Sequence, residues 1–391
     1  MKRICRILIS VIVSLVCFTL PYYIFGEISD FKEEKLIENS LPTEQEIDDF
    51  NNLLSENTLY YYNQLDDFDK EAYVAIYSSF MSFDDSVVVR ADAKTLNNLF
   101  MSVLYDNPHI FWVEYEYEYV INEFSLEMIP KYCYNEAKAK ILSEQINEKI
   151  EHIVSAANCL SSDYEKELYI HDYVCHNTVY DDTVGGNSVY DVLINGRAVC
   201  EGYSKTIQIL LNALDIDNYL VVGESVYKGE LGPHMWNVVN IDGVNYHLDS
   251  TWNDSDENNK IRYFYFNVSD SVISEDHFSI SPSNNNCISN LANYYSYNNI
   301  VFSDFNGFYE HTKRSAEILR DGENEVEFVF ENSDDYEKAI SYIKNDNGFF
   351  NYINEVGKTS GRNINTTEIS YITIKEHNYL SVIFKEGWWN G

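Results

Sequence analysis

One cysteine stands where a helix is predicted to begin. Asn195 to Lys205 reads NGRAVCEGYSK, and its Asn-Gly pair favours a turn just before Cys200. Apolar residues then recur on one face of the predicted helix, namely Tyr203, Ile207, Leu210, Leu211 and Leu214. Backbone N–H groups and the helix dipole at such an N-terminus stabilise an anion, and so favour the thiolate. The alternative is a buried structural cysteine, which is the commoner case for a cysteine considered alone.

A β-hairpin is predicted downstream of this helix. The segments His234–Ile241 and Val244–Trp252 flank Asp242-Gly243, a dipeptide strongly favoured in two-residue type I′ turns. Tyr219–Gly223 is a short apolar segment that predicts one further strand. With a two-residue turn, Ile241 pairs with Val244, and this pair fixes the register of the whole hairpin.

The register places a histidine and an aspartate on one face. Extending the pairing puts His234 opposite Thr251 and Trp236 opposite Asp249, and residues opposite each other share a face. His234 and Asp249 are then diagonal neighbours within reach of each other on the more polar face. The other face suits a core and carries Met235, Val239, Ile241, Val244, Tyr246, Leu248 and Trp252.

A histidine paired with an aspartate is what a thiol nucleophile needs. The histidine takes the thiol proton and later protonates the leaving group, while the aspartate orients the imidazole and stabilises its cation. The alternative for His234 is a hydrogen-bonded strand histidine, and His247 on the same face shows that such residues occur here. The register does not by itself bring this face to Cys200.

Three sequence blocks resemble the transglutaminase-like superfamily, in the form found in secreted or surface proteins of clostridia-like bacteria. The blocks are NGRAVCEGYSK, GPHMWNVVNIDGVNYHLDSTWND and YFYFNVSD, and the match runs from about Tyr164 to Asp270. The family order is a cysteine, then His-x-Trp-Asn, then a Tyr/His-x-Asp-x-Thr-Trp block, as here. The resemblance implies a catalytic triad of Cys200, His234 and Asp249.

Other segments share the resemblance and extend what it implies about the fold. His171–Tyr173 and Tyr180-Asp181 resemble the family's upstream helix and turn, which are structural parts of the cleft wall. Leu104–Trp112 resembles a region often found beside this domain. The implied fold is α+β, with a papain/transglutaminase-like core in which the nucleophile helix packs against an antiparallel sheet. An N-terminal mainly helical region and a small C-terminal α/β module complete the expected chain.

The resemblance implies chemistry at amide bonds, with a peptide or protein substrate that could belong to the cell envelope. The thiolate attacks an amide carbonyl and forms a thioester, which water hydrolyses or an amine transamidates. The Cys200 N–H would hold the oxyanion with a second, unassigned donor. The competing hypothesis is a non-catalytic cell-surface binding module built on the same scaffold.

Neither a cofactor nor a metal site is expected from the sequence. Asn253–Glu257 (NDSDE) is acidic but lacks the glycine of a calcium loop, and it is interpreted as a solvated loop. The chain has seven cysteines, of which Cys133, Cys159, Cys175, Cys200 and Cys287 follow the N-terminal segment. None has Cys-x-x-Cys spacing, which disfavours a zinc ribbon or a thioredoxin-like motif. An odd number leaves at least one thiol unpaired unless two chains are joined.

Charge and the N-terminus indicate where the protein works. The 391 residues include 27 Lys and Arg against 63 Asp and Glu, and a net charge of −36 disfavours nucleic acid as a partner. Three basic residues precede an apolar run from Ile7 to Phe25, which predicts a signal peptide or an uncleaved membrane anchor over residues 1–26. The rest is then expected to be extracellular or at the cell surface.

Four regions are predicted along the chain. After the export segment come residues 27–160, mainly helical with one β segment at Ile110–Ile121, and a helix over Asn135–Ala157. That helix shows Ile141, Ile146, Ile150 and Ile153 on one side. The catalytic domain follows at 161–290, beginning with a helix near Ser162. Residues 291–391 form the C-terminal module, with strands or helices predicted at 297–304, 305–319, 325–331, 334–356, 369–376 and 379–385.

Overall fold

The computed structural model divides the chain into two units, residues 1–289 and residues 290–391. Both units combine helices with antiparallel strands, so the predicted α+β class is confirmed. The structure describes residues 9–12, 42–43, 47, 50, 59–122, 125–254, 260–282, 284–305, 307, 311, 315–317, 325–360, 363–364, 369–384 and 389–390. The region before residue 161 belongs to the same unit as the region after it.

The first part of unit one places helices beside a four-stranded sheet. Its elements are β1 (Ile9–Ile12), α1 (Tyr60–Asn63), α2 (Asp67–Ser82), β2 (Val87–Val89), α3 (Leu96–Asp106), β3 (Val113–Ile121), β4 (Leu126–Tyr132) and α4 (Glu136–Ala157). The sheet is antiparallel, in the order β1-β3-β4-β2. Strand β3 is the predicted β segment. The sequence analysis did not identify its neighbour β4, which contains Pro130 and no clean alternation.

Helix α4 confirms the predicted helix and most of its predicted face, because Ile146 and Ile153 are buried. The Asn135 side chain caps it by accepting a hydrogen bond from the Lys138 N–H at 2.9 Å. Its buried side consists of Ala139, Leu142, Ile146, Ile153 and Ala157. Ile141 is 52% exposed, so the inward stripe runs through Leu142 instead. One residue along a helix turns a side chain by about 100°, which is enough to exchange a core position for a solvent position.

The second part of unit one holds the helix that begins at Cys200. In order come α5 (Asp163–Asn177), β5 (Val179–Tyr180), a π-helical turn (Asp191–Asn195), β6 (Arg197–Ala198), α6 (Cys200–Asn212), β7 (Asn218–Tyr227), β8 (Glu230–Ile241), β9 (Val244–Leu248), α7 (Ser250–Asn253), β10 (Phe266–Val268), α8 (Asp270–Ile273) and β11 (His277–Ser281). The strands form an antiparallel sheet ordered β10-β9-β8-β7-β11. Helix α6 packs on β7 and β8, and its predicted apolar face is buried.

The β8–β9 hairpin has the predicted register up to Leu248. Ile241 pairs with Val244 and Asn237 pairs with Leu248. The turn residues Asp242 and Gly243 have φ values of 53° and 81°, as a type I′ turn requires.

The predicted pairing beyond Leu248 was wrong. Strand β9 ends there, and Asp249 caps α7 instead, because its side chain accepts the N–H groups of the next turn. His234 therefore lies opposite Gly223 on β7 rather than opposite Thr251.

Both faces of this sheet are buried where β8 runs from His234 to Val239. The face predicted to be more polar carries Trp236 and Val238, which are 0% and 1% exposed. They belong to a buried cluster with Tyr219, Val221, Tyr265, Val268, Ile273 and Cys287. The histidines and aspartates on this face are therefore desolvated, which strengthens every interaction between their charges.

Unit two contains the predicted strands near 325–331, 369–376 and 379–385, but the single helix predicted over 334–356 is two helices that meet at Asn345. Its elements are α9 (Tyr294–Tyr297), β12 (Val301–Phe302), β13 (Glu325–Phe330), α10 (Ser333–Lys344), α11 (Asp346–Ser360), β14 (Asn363–Ile364), β15 (Ile369–Ile374), a 3₁₀ turn (Lys375–His377), β16 (Tyr379–Phe384) and β17 (Trp389–Asn390). The main sheet is ordered β12-β13-β16-β15, and the predicted terminal hairpin is confirmed. The predicted helix at 305–319 lies largely outside the described residues, although 315–317 are helical.

Most of the predicted export segment, residues 1–26, lies outside the described residues. Within it the structure places only residues 9–12, which form β1. Among the residues that the structure describes, no helix combines the length and apolar character needed to cross a bilayer.

Close packing at Gly223 leads to a stability prediction. Gly223 on β7 lies between His234 of β8 and Ser279 of β11. A Cβ atom there would collide with the Phe278 carbonyl oxygen and lie 2.9 Å from Cη2 of Trp236. We expect Gly223→Ala to lower the free energy of unfolding by about 1–3 kcal/mol, measured by chemical denaturation.

Gly232→Ala is the matched control for that substitution. Gly232 lies on β8, and nothing is within 4 Å of a Cβ atom built there. We expect a change within about 0.5 kcal/mol. Equal effects of the two substitutions would contradict the packing argument.

Candidate active site

Cys200 is the first residue of α6, as the sequence predicted. Its thiol is free and partly exposed, and the residue before it, Val199, has extended geometry and no capping side chain. Close packing behind the thiol depends on Gly202, where a Cβ atom would lie 2.7 Å from the Ala198 Cβ. Because Cys200 is the first residue of α6, the N-terminus of that helix can stabilise negative charge on the sulfur.

His234 lies between Cys200 and Asp249. Its Nε2 is 2.6 Å from Oδ2 of Asp249, and the Cys200 thiol lies near enough to the same imidazole to raise its pKa. Because Nε2 faces the carboxylate, Nδ1 is the nitrogen left for the thiol. The structure thus brings all three predicted site residues together. The strand pairing from which the His234–Asp249 contact was predicted ends at Leu248, one residue before Asp249.

Asp249 is fully buried and its two oxygens have different partners. Oδ1 accepts the backbone N–H groups of Thr251 at 2.9 Å and Trp252 at 3.1 Å. Oδ2 contacts Nε2 of His234 and Nε2 of His277, the latter at 2.9 Å. Burial by itself would raise the pKa of Asp249, but the two histidines outweigh it and hold that pKa well below its usual range.

The pKa of His234 moves in the opposite direction. Burial alone would lower it, but the charge and hydrogen bond of Asp249, together with Cys200, raise the pKa of His234 to about 10. An imidazolium is therefore favoured beside the thiol at neutral pH. A positive charge at that position favours the thiolate of Cys200.

His277 is a site residue that the sequence analysis missed. It is 0% exposed in its side chain, lies on the edge strand β11, and contacts Asp276 through Nδ1 at 2.6 Å. The only sequence signal was a histidine directly after an aspartate at the start of an alternating segment. No local pattern links His277 to Asp249, because β11 joins the sheet beside β7 rather than beside β9.

His247 has the structural role that was considered as the alternative for His234. Its Nδ1 accepts a hydrogen bond from Trp236 Nε1 at 2.9 Å, and its Nε2 lies 2.8 Å from Asp270. Burial lowers the pKa of His247. A neutral ring that accepts at Nδ1 carries its proton at Nε2, so its role is to orient the neighbouring indole.

A second set of cysteine, histidine and aspartate occurs on α5. Cys175 Sγ lies 3.7 Å from Nε2 of His171, whose Nδ1 is 2.9 Å from Asp172. The Cys175 thiol donates to the Ser250 carbonyl at 3.3 Å, and burial raises its pKa well above the usual value. Cys175 is fully desolvated and lies near the C-terminal end of α5, so the structure favours Cys200 as the nucleophile.

The structure describes all the residues that were predicted to form the cleft wall. His171 is buried and contacts Asn253 at 3.1 Å, in keeping with a structural role. Tyr180 is 45% exposed. Its pKa is raised, chiefly by desolvation and in addition by the negative charge of Cys200.

The interpretation of 253–257 as a solvated loop was wrong at its start. Asn253 is fully buried, and Asp254 accepts the Tyr203 hydroxyl at 2.5 Å, because the Asp249 cap turns this segment inward. Residues 255–257 lie outside the described part of the chain.

Two groups of described residues have the chemistry of metal ligands, namely His234 with Asp249 and His277, and His247 with Asp270 and Cys287. In the first group, both histidines direct Nε2 at the same carboxylate oxygen, at hydrogen-bond distances. In the second, the protonated Nε2 of His247 has no lone pair to offer an ion. Both arrangements are those of hydrogen-bonded chains.

Comparison with known proteins gives one family match. Residues 153–252 match the model of the transglutaminase-like superfamily. No curated protein matches the chain.

Three solved structures are similar to parts of the chain. One is described as a TGase, with 17% identity over 46% of this chain and 54% of that chain and a TM-score of 0.26. A "putative cysteine protease" from Cytophaga hutchinsonii has 15% identity, coverage of 35% and 56%, and a TM-score of 0.25. A "putative protease" from Parabacteroides distasonis has 13% identity, coverage of 33% and 29%, and a TM-score of 0.21. The chain thus spans about half the length of the first two structures.

The family match shows a transglutaminase-like domain over residues 153–252 of this chain.

Proposed function

We propose that the protein is an exported thiol enzyme that acts on peptide amide bonds through a thioester on Cys200. One observation carries this proposal: a partly exposed thiol at a helix N-terminus lies beside His234, whose Nε2 is held by the buried carboxylate of Asp249. These are the nucleophile, the acid–base group and the orienting group of acyl transfer. The predicted catalytic triad fits this role.

The proposed reaction follows from the positions of these groups. The Cys200 thiolate attacks the amide carbonyl carbon, and the carbonyl oxygen becomes an oxyanion beside the Cys200 N–H. His234 gives its Nδ1 proton to the leaving amine as the C–N bond breaks, which leaves a thioester. Water then loses a proton to His234 and attacks the thioester, which releases the acid and regenerates the thiol.

Hydrolysis is the favoured outcome in this proposal, because the Cys200 thiol is partly exposed and water is far more concentrated than any amine. A primary amine that occupied the position of the water would give transamidation by the same steps. A substrate at the cell envelope agrees with the proposed location.

The competing function is a non-catalytic surface binding module. Such a module would need the same fold, but it would not need a charged His234 beside a partly exposed thiol. Thiol reactivity separates the two functions without any knowledge of the substrate.

Alkylation of the full-length chain with iodoacetamide should be selective for Cys200. Because His234 stays protonated well above neutral pH, we expect fast labelling of Cys200 even at about pH 6, where ordinary thiols react slowly. Burial raises the pKa of both Cys175 and Cys287, so these should remain unlabelled in the folded protein. Peptide mass spectrometry after timed quenching measures the site rates. Labelling of Cys200 no faster than that of the exposed Cys133 and Cys159 would support the binding module.

Substitutions at the triad test the reaction itself. A mass-spectrometric screen of peptide mixtures should find cleaved or crosslinked products with the wild-type chain and none with Cys200→Ala. Asp249→Asn should lower turnover by roughly 10²–10⁴-fold, since it removes the charge that holds the imidazolium. The control Asp242→Asn keeps a residue that tolerates positive φ in the hairpin turn, so its turnover should be unchanged. Wild-type turnover in Asp249→Asn would remove Asp249 from the triad.

Export is proposed from residues 1–26 as a signal peptide or as an anchor spanning 7–25. Proteinase added to intact cells should then degrade the chain after Glu27, because that part would lie outside the membrane. A cytoplasmic protein of the same cells is the control for lysis. Full protection of the chain would contradict the proposed location.

A further inference from the structure

A second histidine contacts the oxygen of Asp249 that holds His234. His277 Nε2 lies 2.9 Å from Oδ2 of Asp249, while His234 Nε2 lies 2.6 Å from the same atom. The two imidazole rings are 5.2 Å apart. On its other side, His277 Nδ1 lies 2.6 Å from Oδ1 of Asp276. A continuous chain of hydrogen bonds therefore runs from Asp276 to His234, which lies beside the thiol of Cys200.

The partners of His277 determine its charge. A ring nitrogen that faces a carboxylate oxygen at hydrogen-bond distance must carry a proton, since two lone pairs would repel each other. Both nitrogens of His277 face carboxylates, so both are placed to donate, and a ring that donates from both nitrogens is an imidazolium. Asp276 itself is held by the Tyr265 hydroxyl, which donates to Oδ2 at 2.6 Å. The remaining neighbours are the rings of Trp236 and Trp252, with centroids at 5.1 Å and 4.4 Å, and the ring of His247 on the same buried face.

We propose that His277 is a positioning residue for the acid–base step: it fixes the Asp249 carboxylate toward His234 and offsets part of its negative charge. This role rests on the proposed function of the triad. If Asp249 served His234 alone in so dry a site, it would bind the imidazolium proton very tightly. A positive charge on the far side of the same oxygen weakens that hold. His234 can then release its proton to the leaving amine.

A structural role alone does not account for this arrangement. The other buried histidine–aspartate pairs, His171 with Asp172 and His247 with Asp270, contact neither His234 nor Asp249. The Oδ1 atom of Asp249 already caps α7, so the fold of that turn does not require a second histidine at Oδ2. Among the residues that the structure describes, His277 alone shares an acceptor atom with the acid–base histidine.

The proposal is tested by the titration of His234 in the full-length chain labelled with ¹⁵N-histidine. A Cys200→Ala background removes the thiolate, so that His234 titrates without that partner. We expect both ring nitrogens of His277 to be protonated at pH 7. His277→Gln keeps a donor toward Asp249 but cannot carry charge, so the pKa of His234 should rise by about one unit or more. Asp276→Asn, which withdraws the support for the His277 charge, should shift the His234 pKa in the same direction.

His171→Gln is the matched control, since it removes a buried histidine–aspartate pair outside the chain of hydrogen bonds. It should lower the melting temperature without moving the His234 pKa. A neutral His277 at pH 7, or an unchanged His234 pKa in His277→Gln, would overturn the proposal. If His277→Gln does not fold, an unchanged pKa in Asp276→Asn decides against it. Neither readout needs a substrate, so failure of the amide chemistry would appear separately, as a wild-type chain without selective Cys200 alkylation.

Discussion

The buried carboxylate of Asp249 is the interaction on which the rest of this site depends. A charge with no exposure to water is tolerated only where hydrogen bonds replace its hydration, and here four donors do so. Two come from the first turn of α7 and two from histidines on different strands. The hairpin, the turn into α7 and the edge strand must all be in place before the charge is satisfied. The local fold and the acid–base chemistry therefore share one requirement.

Sequence patterns predicted those parts of the site that depend on residues close together in the chain. The Asp242-Gly243 turn fixes the hairpin register because both residues adopt positive φ, and the helix after Cys200 follows from its apolar period. The end of β9 was not predicted, because an alternating pattern does not show that Asp249 will cap a helix. One position on the buried side of α4 was predicted wrongly for a similar reason, since Ile141 and Leu142 are equally apolar.

His277 could not have been assigned from the sequence by any local rule. It lies 28 residues after Asp249, and its contact depends on β11 joining the far edge of the sheet, next to β7. Residue types alone are equally uninformative about the nucleophile, because Cys175, His171 and Asp172 repeat the composition of the triad. Solvent exposure and the helix N-terminus distinguish Cys200 from Cys175. Those properties exist only in the folded chain.

The strand order has a consequence for biosynthesis. Strand β11 leaves the ribosome after β10, yet it occupies the opposite edge of the sheet, so the chain must cross the sheet before His277 reaches Asp249. A nascent polypeptide that has exposed Cys200 and the hairpin still lacks one of the four donors to the buried carboxylate. Contacts between residues distant in sequence form late, because loop closure must come first. The acid–base partners of the thiol are therefore complete only when the five-stranded sheet is complete. A chain that has not yet added β11 lacks His277 and so has an incomplete site.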